Sequence, residues 1–215
     1  MYKFYIFLCS VLLATFVAAS PEYNAPSRDM PTTNFFGGFV FSPEIYNPSN
    51  GKSAQLPDLN NIGIGTEASI YYWLNGGAKV NMLFAQQGRA LNTIIELSPY
   101  IKFQLPIDTL IGRFTPYMTI GAGGSFMNGF PEEFGNVVGL YASQAVGFNG
   151  SAVGGIEYFP IVPLGFFVEG GYRTNFLNVS YRVPVVTEVL TTLEERTQGT
   201  WLKAPIMNFG VRIAL

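Results

Sequence analysis

Eight charged residues carry most of the chemistry this sequence can offer: Glu67, Lys79, Glu96, Lys102, Glu157, Glu169, Arg173 and Arg212. Four are acids and four are bases, so as a group they are neutral. Paired in a dry interior they form a structural plug, because a buried charge without a partner is strongly destabilising. If the pairs exchange, the same residues form a gate that admits solute. Catalysis finds little to work with. There is no histidine, which removes Ser-His-Asp and Cys-His nucleophilic chemistry, imidazole acid–base work and most zinc and haem sites. The single cysteine is Cys9. It lies in a segment read below as removable, which leaves the mature chain no thiol, disulfide or cysteine ligand. The expectation is no enzyme, no catalytic residue, no metal and no cofactor; only carboxylate chemistry stays conceivable. Gly121-Ala122-Gly123-Gly124 is not a phosphate loop, since no Lys-Ser/Thr pair follows and no helix opens there.

Composition says what kind of scaffold holds these charges. The 215 residues are 48% hydrophobic and only 12% charged, about half the ~25% charge of an ordinary soluble domain. Such a chain is not disordered. Lys+Arg 12 against Asp+Glu 14 leaves no basic excess to follow a phosphate backbone, so nucleic acid is not an expected partner. Glycine (24 residues) and aromatics (15%) are abundant.

The first residues read as a secretory signal. Lys3 is the only charge in Met1–Ser20, an apolar stretch runs from Phe4 to Val17, and Val17-Ala18-Ala19 supplies small residues for cleavage after Ala19. The apolar stretch is short for a membrane anchor. Leu8 before Cys9 is too bulky for a lipoprotein box. Residues 1–19 are therefore read as a cleaved signal peptide, 20–34 as a polar, proline-rich flexible leader, and 35–215 as one folded unit. Loss of Lys3 takes the net charge from −2 to −3.

That unit alternates with period two. In Ile62–Leu74 one face holds Ile62, Ile64, Thr66, Ala68, Ile70, Tyr72 and Leu74, the other Gly63, Gly65, Glu67, Ser69, Tyr71 and Trp73. Thr93–Leu105, Phe114–Phe126 and Met207–Leu215 repeat the pattern, and Phe35–Tyr46, Ala78–Ala85, Ala145–Tyr158 and Phe166–Leu177 carry weaker versions. Eight strands result, near the ~9–11 residues that cross an outer membrane when tilted. Asn75-Gly76-Gly77 reads as a tight hairpin turn. Pro106–Arg113 and Phe159–Gly165 are further short links. Asn47–Asn61, Gln86–Asn92, Met127–Gln144 and Asn178–Thr200 are longer. Short and long links alternate, the layout of a transmembrane barrel with short periplasmic turns, longer extracellular loops and both termini in the periplasm.

The charges separate this barrel from a soluble one. All eight fall on the less apolar strand face; Glu44, near a strand end, is the exception. A charge facing lipid costs ~2–4 kcal/mol at the midplane for Arg or Lys, whereas a soluble lipocalin-like calyx places charges outside. Aromatics gather near strand ends, at Phe35, Phe36, Tyr46, Tyr72, Trp73, Phe103, Phe114, Phe126, Tyr158, Phe159, Phe166 and Trp201, as interfacial girdles require. The link Met127–Gln144 is apolar for an exposed loop. Phe130, Phe134, Leu140 and Tyr141 are its candidate ligand contacts, unless the loop folds over the barrel mouth and buries itself. Asn149-Gly150-Ser151 and Asn178-Val179-Ser180 match glycosylation sequons, which arise by chance.

FTPYMTIGAGGSF (Phe114–Phe126), ASIYYWLNGGAKVNMLFA (Ala68–Ala85), GGIEY (Gly154–Tyr158), VEGGY (Val168–Tyr172) and FGVRIAL (Phe209–Leu215) together resemble the small eight-stranded outer-membrane β-barrels: OmpW-like proteins, opacity-type porins and the OmpA membrane domain. The resemblance implies an all-β, eight-stranded antiparallel barrel in the bacterial outer membrane. It also implies a C-terminal strand, Phe209–Leu215, read by the outer-membrane assembly machinery, although Leu215 stands where Phe is usual. Resemblance to OmpW implies a hydrophobic pocket or lateral route for apolar molecules. The first functional reading is passive passage or binding of small apolar solutes by a monomer surrounded by outer-membrane lipid. The alternative is a closed structural barrel whose extracellular loops mediate surface or host interaction.

Overall fold

A chain that alternates apolar and polar residues without a helical period can satisfy its backbone only by pairing strands. The computed structural model describes residues 31–87, 90–109, 112–128, 142–161, 163–186 and 191–214. Among these residues there are eleven strands: β1 (Thr32–Val40), β2 (Glu44–Asn47), β3 (Lys52–Gln55), β4 (Leu59–Tyr71), β5 (Leu74–Gln87), β6 (Ala90–Gln104), β7 (Ile107–Thr109), β8 (Gly112–Asn128), β9 (Ala142–Ile161), β10 (Leu164–Val186) and β11 (Thr191–Ala214). Eight of them form a ring in the order β1-β4-β5-β6-β8-β9-β10-β11, every pair antiparallel. The ring closes between β1 and β11, from Thr32 opposite Ala214 to Val40 opposite Ile206. The fold is an all-β, eight-stranded antiparallel barrel.

The outer face of the ring is apolar. Among the described residues 26 large hydrophobic side chains are exposed, including Ile62, Leu97, Ile101, Ile120, Ile156 and Phe209. A soluble monomer seldom exposes a contiguous apolar patch beyond ~300–600 Å², so this face is built for a non-aqueous neighbour. Aromatics cluster at both rims. Tyr71, Trp73 and Phe103 stack in a row at one rim, with centroids 5.8 and 6.2 Å apart, and Phe176 meets Trp201 at 5.0 Å near the other. Phe36 belongs to neither girdle: it faces the lumen beside Phe167, 6.4 Å away.

Several boundaries differ from the sequence reading. The barrel begins at Thr32 and not Phe35. Phe35–Tyr46 is two strands, because Ser42 adopts a positive φ of 38° and its amide donates to Asp58 Oδ1 at 2.7 Å. Glu44 therefore sits on β2, which leaves β1 to pair with the upper part of β11 (Lys203 opposite Glu44). Its exposure breaks no rule of the barrel face. The β4–β5 hairpin turns at Tyr72-Trp73, between Tyr71 and Leu74. Asn75-Gly76-Gly77 lies inside β5. Asn75 donates to Glu67 Oε1 at 2.9 Å, and Gly77 lies under the ring of Tyr100, so both residues serve packing and not the turn.

The supposed long links are shorter than expected. Asn47–Asn61 carries β3, paired with β2. Gln86–Asn92 is mostly strand, since β5 reaches Gln87 and β6 resumes at Ala90. Asn178–Thr200 is mainly a continuation of the β10–β11 ribbon, paired as far as Val186 opposite Thr191. The segment holding Phe130, Phe134, Leu140 and Tyr141 lies outside the described residues, as do the signal segment and most of the leader.

The inside–outside pattern reverses along the strands. Near the short turns the inner face is polar and the outer apolar. Farther on, each strand of the ring turns at least one buried apolar residue inward, with Val40, Leu59, Leu83, Ile94, Met127, Ala145, Leu177 and Leu202 among them. At the same level Asn60, Asn128, Asn178 and Lys203 face out and are exposed. The apolar core of this protein sits in the half of the barrel away from the termini.

Candidate functional site

Glu67, Lys102, Glu157 and Arg212 sit on β4, β6, β9 and β11, every second strand of the ring. Alternation puts each side chain inward, and spacing by two strands sets all four at one level, as layers of side chains fill other closed barrels. Lys102 Nζ lies 2.9 Å from Glu67 Oε1 and also pairs with Glu157. Arg212 Nη2 lies 3.0 Å from Glu157 Oε1, and its Nη1 pairs with Glu67. Two carboxylates thus bridge two cations, and none of the four side chains is more than 4% exposed. Glu67 Oε2 also accepts from Tyr100 OH at 3.0 Å. The Tyr117 ring lies 4.8 Å from Lys102 Nζ, and the Phe167 ring 5.4 Å from Arg212 Cζ. A buried ion cluster holds only when the remaining lone pairs and faces are occupied in this way.

Inward glycines make room for these rings. Gly77 lies opposite Tyr100 and Gly155 opposite Tyr117. A Cβ on either would stand 2.6 or 2.7 Å from the facing ring's Cζ. Gly63 under Phe36 and Gly210 under Phe167 follow the same rule. The four pairs use all eight strands of the ring.

The other four charges lie on the loop side of this layer. Glu169 accepts from Tyr117 OH and Asn208 Nδ2, both at 2.9 Å, and Asn61 donates to Asn208 at 2.7 Å. Arg173 pairs with Glu96, whose carboxylate also accepts from Asn175 at 2.5 Å and Asn81 at 3.3 Å. Ser98, Ser125 and Asn149 continue the network, with Ser98 Oγ donating to Asn149 Oδ1 at 2.6 Å. Lys79 is buried but has no carboxylate within ion-pair distance among the described residues. Its ammonium lies 5.9 Å from the Tyr100 ring centroid, and it lines two small cavities of about 10 and 20 Å³. Spaces of that size hold about one water each. Beyond the network comes the inward apolar ring, with Leu83 and Leu177 fully buried.

All eight charges singled out from the sequence thus face the lumen and are buried. The asparagines and serines that join them were not singled out. They stand on the same inward positions of the same strands, so alternation alone could have found them. Partner choice is another matter: it depends on how the ring closes.

No protein-family model matches the chain, and no curated protein does. Among solved structures, the outer membrane protein OprG from Pseudomonas aeruginosa aligns with 86% of this chain and 96% of its own at 11% identity, with a TM-score of 0.50. Neisserial surface protein A aligns with 89% of this chain and 100% of its own at 11% identity and a TM-score of 0.46. Ail, the attachment invasion locus protein of Yersinia pestis, gives 86%, 99%, 7% and 0.41. The likeness to OprG is one of fold: the chain has the fold of a small outer-membrane β-barrel.

Proposed function

We propose that this is a bacterial outer-membrane protein with both termini periplasmic. Its barrel is sealed, and its work is done by the strands that rise beyond the bilayer. The filled lumen carries this reading. The layer of Glu67, Lys102, Glu157 and Arg212 spans the barrel, the inward apolar ring lies above it, and the two cavities beside Lys79 among the described residues are about 10 and 20 Å³. A small-molecule site occupies ~300–1,000 Å³. The parts left to meet a partner are the β2–β3 hairpin and the outer halves of β9, β10 and β11. The test is planar-bilayer conductance of the refolded full chain. Silence is expected; discrete conducting steps overturn the sealed reading.

Lys79 favours a second reading, passage through an exchanging gate. It is a buried cation without an ion pair among the described residues, set between the Glu96–Arg173 pair and Glu169, where it lines both cavities. That reading expects steps in the wild type, with altered amplitude in Lys79→Met and Lys102→Ala.

A further inference from the structure

The outer surface carries an apolar groove of about 400 Å³ that the lumen chemistry does not use. It crosses β9, β10 and β11. Its floor is Gly150 beside Thr174, and its wall is Phe148, Phe176 and Trp201. The rows follow from register. Gly150, Thr174 and Lys203 are direct cross-strand neighbours, and so are Phe148, Phe176 and Trp201 one step farther from the termini. Small residues therefore lie in one row and large rings in the next. Phe176 packs on Trp201 at 5.0 Å and leans over Gly199, where a Cβ would stand 2.7 Å from its ring. That lean leaves the floor at Gly150 open.

The protein has no steric need for this gap. A Cβ on Gly150 would meet nothing closer than Thr174 Cγ2 at 3.7 Å, ordinary contact. Phe148 is 72% exposed. One end of the groove is marked by charge: Lys203 Nζ lies 5.9 Å from the Trp201 ring, and no ion pair joins Lys203 to Glu44 opposite it. Lys203 is eight residues along β11 from Val211. That is about 20 Å along the axis at ~3.3 Å per residue and ~40° tilt, near the top of an apolar band ~25 Å tall.

We infer that this groove holds the upper acyl chain of an anionic, phosphate-bearing membrane lipid, with its head group on Lys203. The inference rests on the outer-membrane reading above. The occupant follows from three features together: the groove opens onto the apolar face, its lining is apolar, and Lys203, beside Trp201 and opposite Thr174, stands at the level of the head groups, where a lysine reaches polar surroundings while its stem stays on apolar surface.

Trp201 lines the groove and Trp73, the only other tryptophan, lies at the opposite rim. Each can report alone. The full chain, with either Trp73→Phe or Trp201→Phe, is reconstituted in vesicles containing rising fractions of bromine-labelled phosphatidylglycerol or phosphatidylcholine. Folding is confirmed by the heat-dependent shift in gel mobility. Trp201 should be half-quenched at about a fivefold lower fraction of the anionic lipid, the ratio expected for one lysine at the membrane surface. Trp73 should show no preference. Lys203→Gln should bring the two lipids to parity at Trp201. Gly150→Leu, whose Cβ meets nothing closer than 3.7 Å and whose remaining carbons occupy the groove, should raise the half-quenching fraction of both lipids at Trp201 and remove the fivefold difference between them. Equal quenching of Trp201 by both lipids in the parent overturns the lipid site. So does protection of Trp201 from every lipid while Trp73 is quenched, which would seat a second copy of the chain in the groove. If neither tryptophan is quenched in the folded protein, the membrane reading itself has failed.

Discussion

Replacing Lys102 by methionine removes one charge from the four-residue layer and keeps most of the volume. Glu67 and Glu157 are then left with Arg212 alone, at sites where none of the side chains is more than 4% exposed. Breaking a buried pair by deleting one partner costs ~3–5 kcal/mol, and losing the contact with the Tyr117 ring at 4.8 Å adds to it. With a denaturant dependence of ~2 kcal/mol per molar urea, the unfolding midpoint in lipid should fall by about 2 M. The companion change Glu157→Gln restores neutrality, because Glu67 and Arg212 remain as a pair. The double variant should regain half or more of the loss, which together with the cost of Glu157→Gln alone makes a coupling above ~2 kcal/mol. The assay is equilibrium urea unfolding followed by tryptophan emission and by gel mobility, on all four members of the cycle. Two results refute the reasoning: a midpoint shift below about 0.5 M for Lys102→Met, or single effects that add within ~0.5 kcal/mol. Either would mean that water screens these charges and that the layer is not a dry plug.

Gly77→Ala should lose ~1–3 kcal/mol by overpacking against the Thr66 carbonyl and against the Tyr100 ring, 2.6 Å from the new Cβ, whereas Gly124→Ala, with nothing within 4 Å of its Cβ, should stay within ~0.5 kcal/mol in the same unfolding assay. Ile120→Lys, on the exposed apolar face, should cost ~2–4 kcal/mol in lipid, whereas Asn60→Lys at the outer boundary should be near neutral; equal costs would argue against a bilayer around the barrel. Ser53→Cys on β3 should react with a membrane-impermeant maleimide on intact cells, and Thr109→Cys on β7 only after lysis; the reverse pattern would invert the orientation.

The strand faces were legible because a lipid-facing charge is costly enough to be excluded, so charges mark the inner face at Glu67, Glu96, Lys102 and Glu157. The turn at Tyr72-Trp73 was not, since Asn75-Gly76-Gly77 carries a stronger local turn signal than the residues that actually turn. Only the need to place Asn75 beside Glu67 and Gly77 under Tyr100 overrides it, and both are contacts across strands. The upper halves of β10 and β11 were missed for a different reason. There the apolar residues move to the inner face, at Leu177 and Leu202, so a template with apolar residues outside stops matching and the segment reads as a loop. The ion partners were illegible in principle. Lys102 joins Glu67 and Glu157 across 35 and 55 residues, and no pattern along the chain specifies that closure.

The reversal along the strands has its own physical logic. Where hydrocarbon surrounds the barrel, burying an apolar side chain inside gains nothing over leaving it outside. The lumen can then be filled with ion pairs and amides whose mutual contacts fix the closure. Where water surrounds the barrel, the hydrophobic effect returns, and the inner face becomes Val40, Leu59, Leu83, Ile94, Met127, Ala145, Leu177 and Leu202. In the sealed reading proposed above, the two seals are therefore held by different forces. The lower depends on charge pairing in a dry interior and the upper on apolar burial in water, so one perturbation does not open both. A solute following the axis would have to break the Glu67–Lys102–Glu157–Arg212 layer and also part a packed apolar ring. A partner at the surface meets neither barrier, and that asymmetry favours the outer strands as the working part of the molecule.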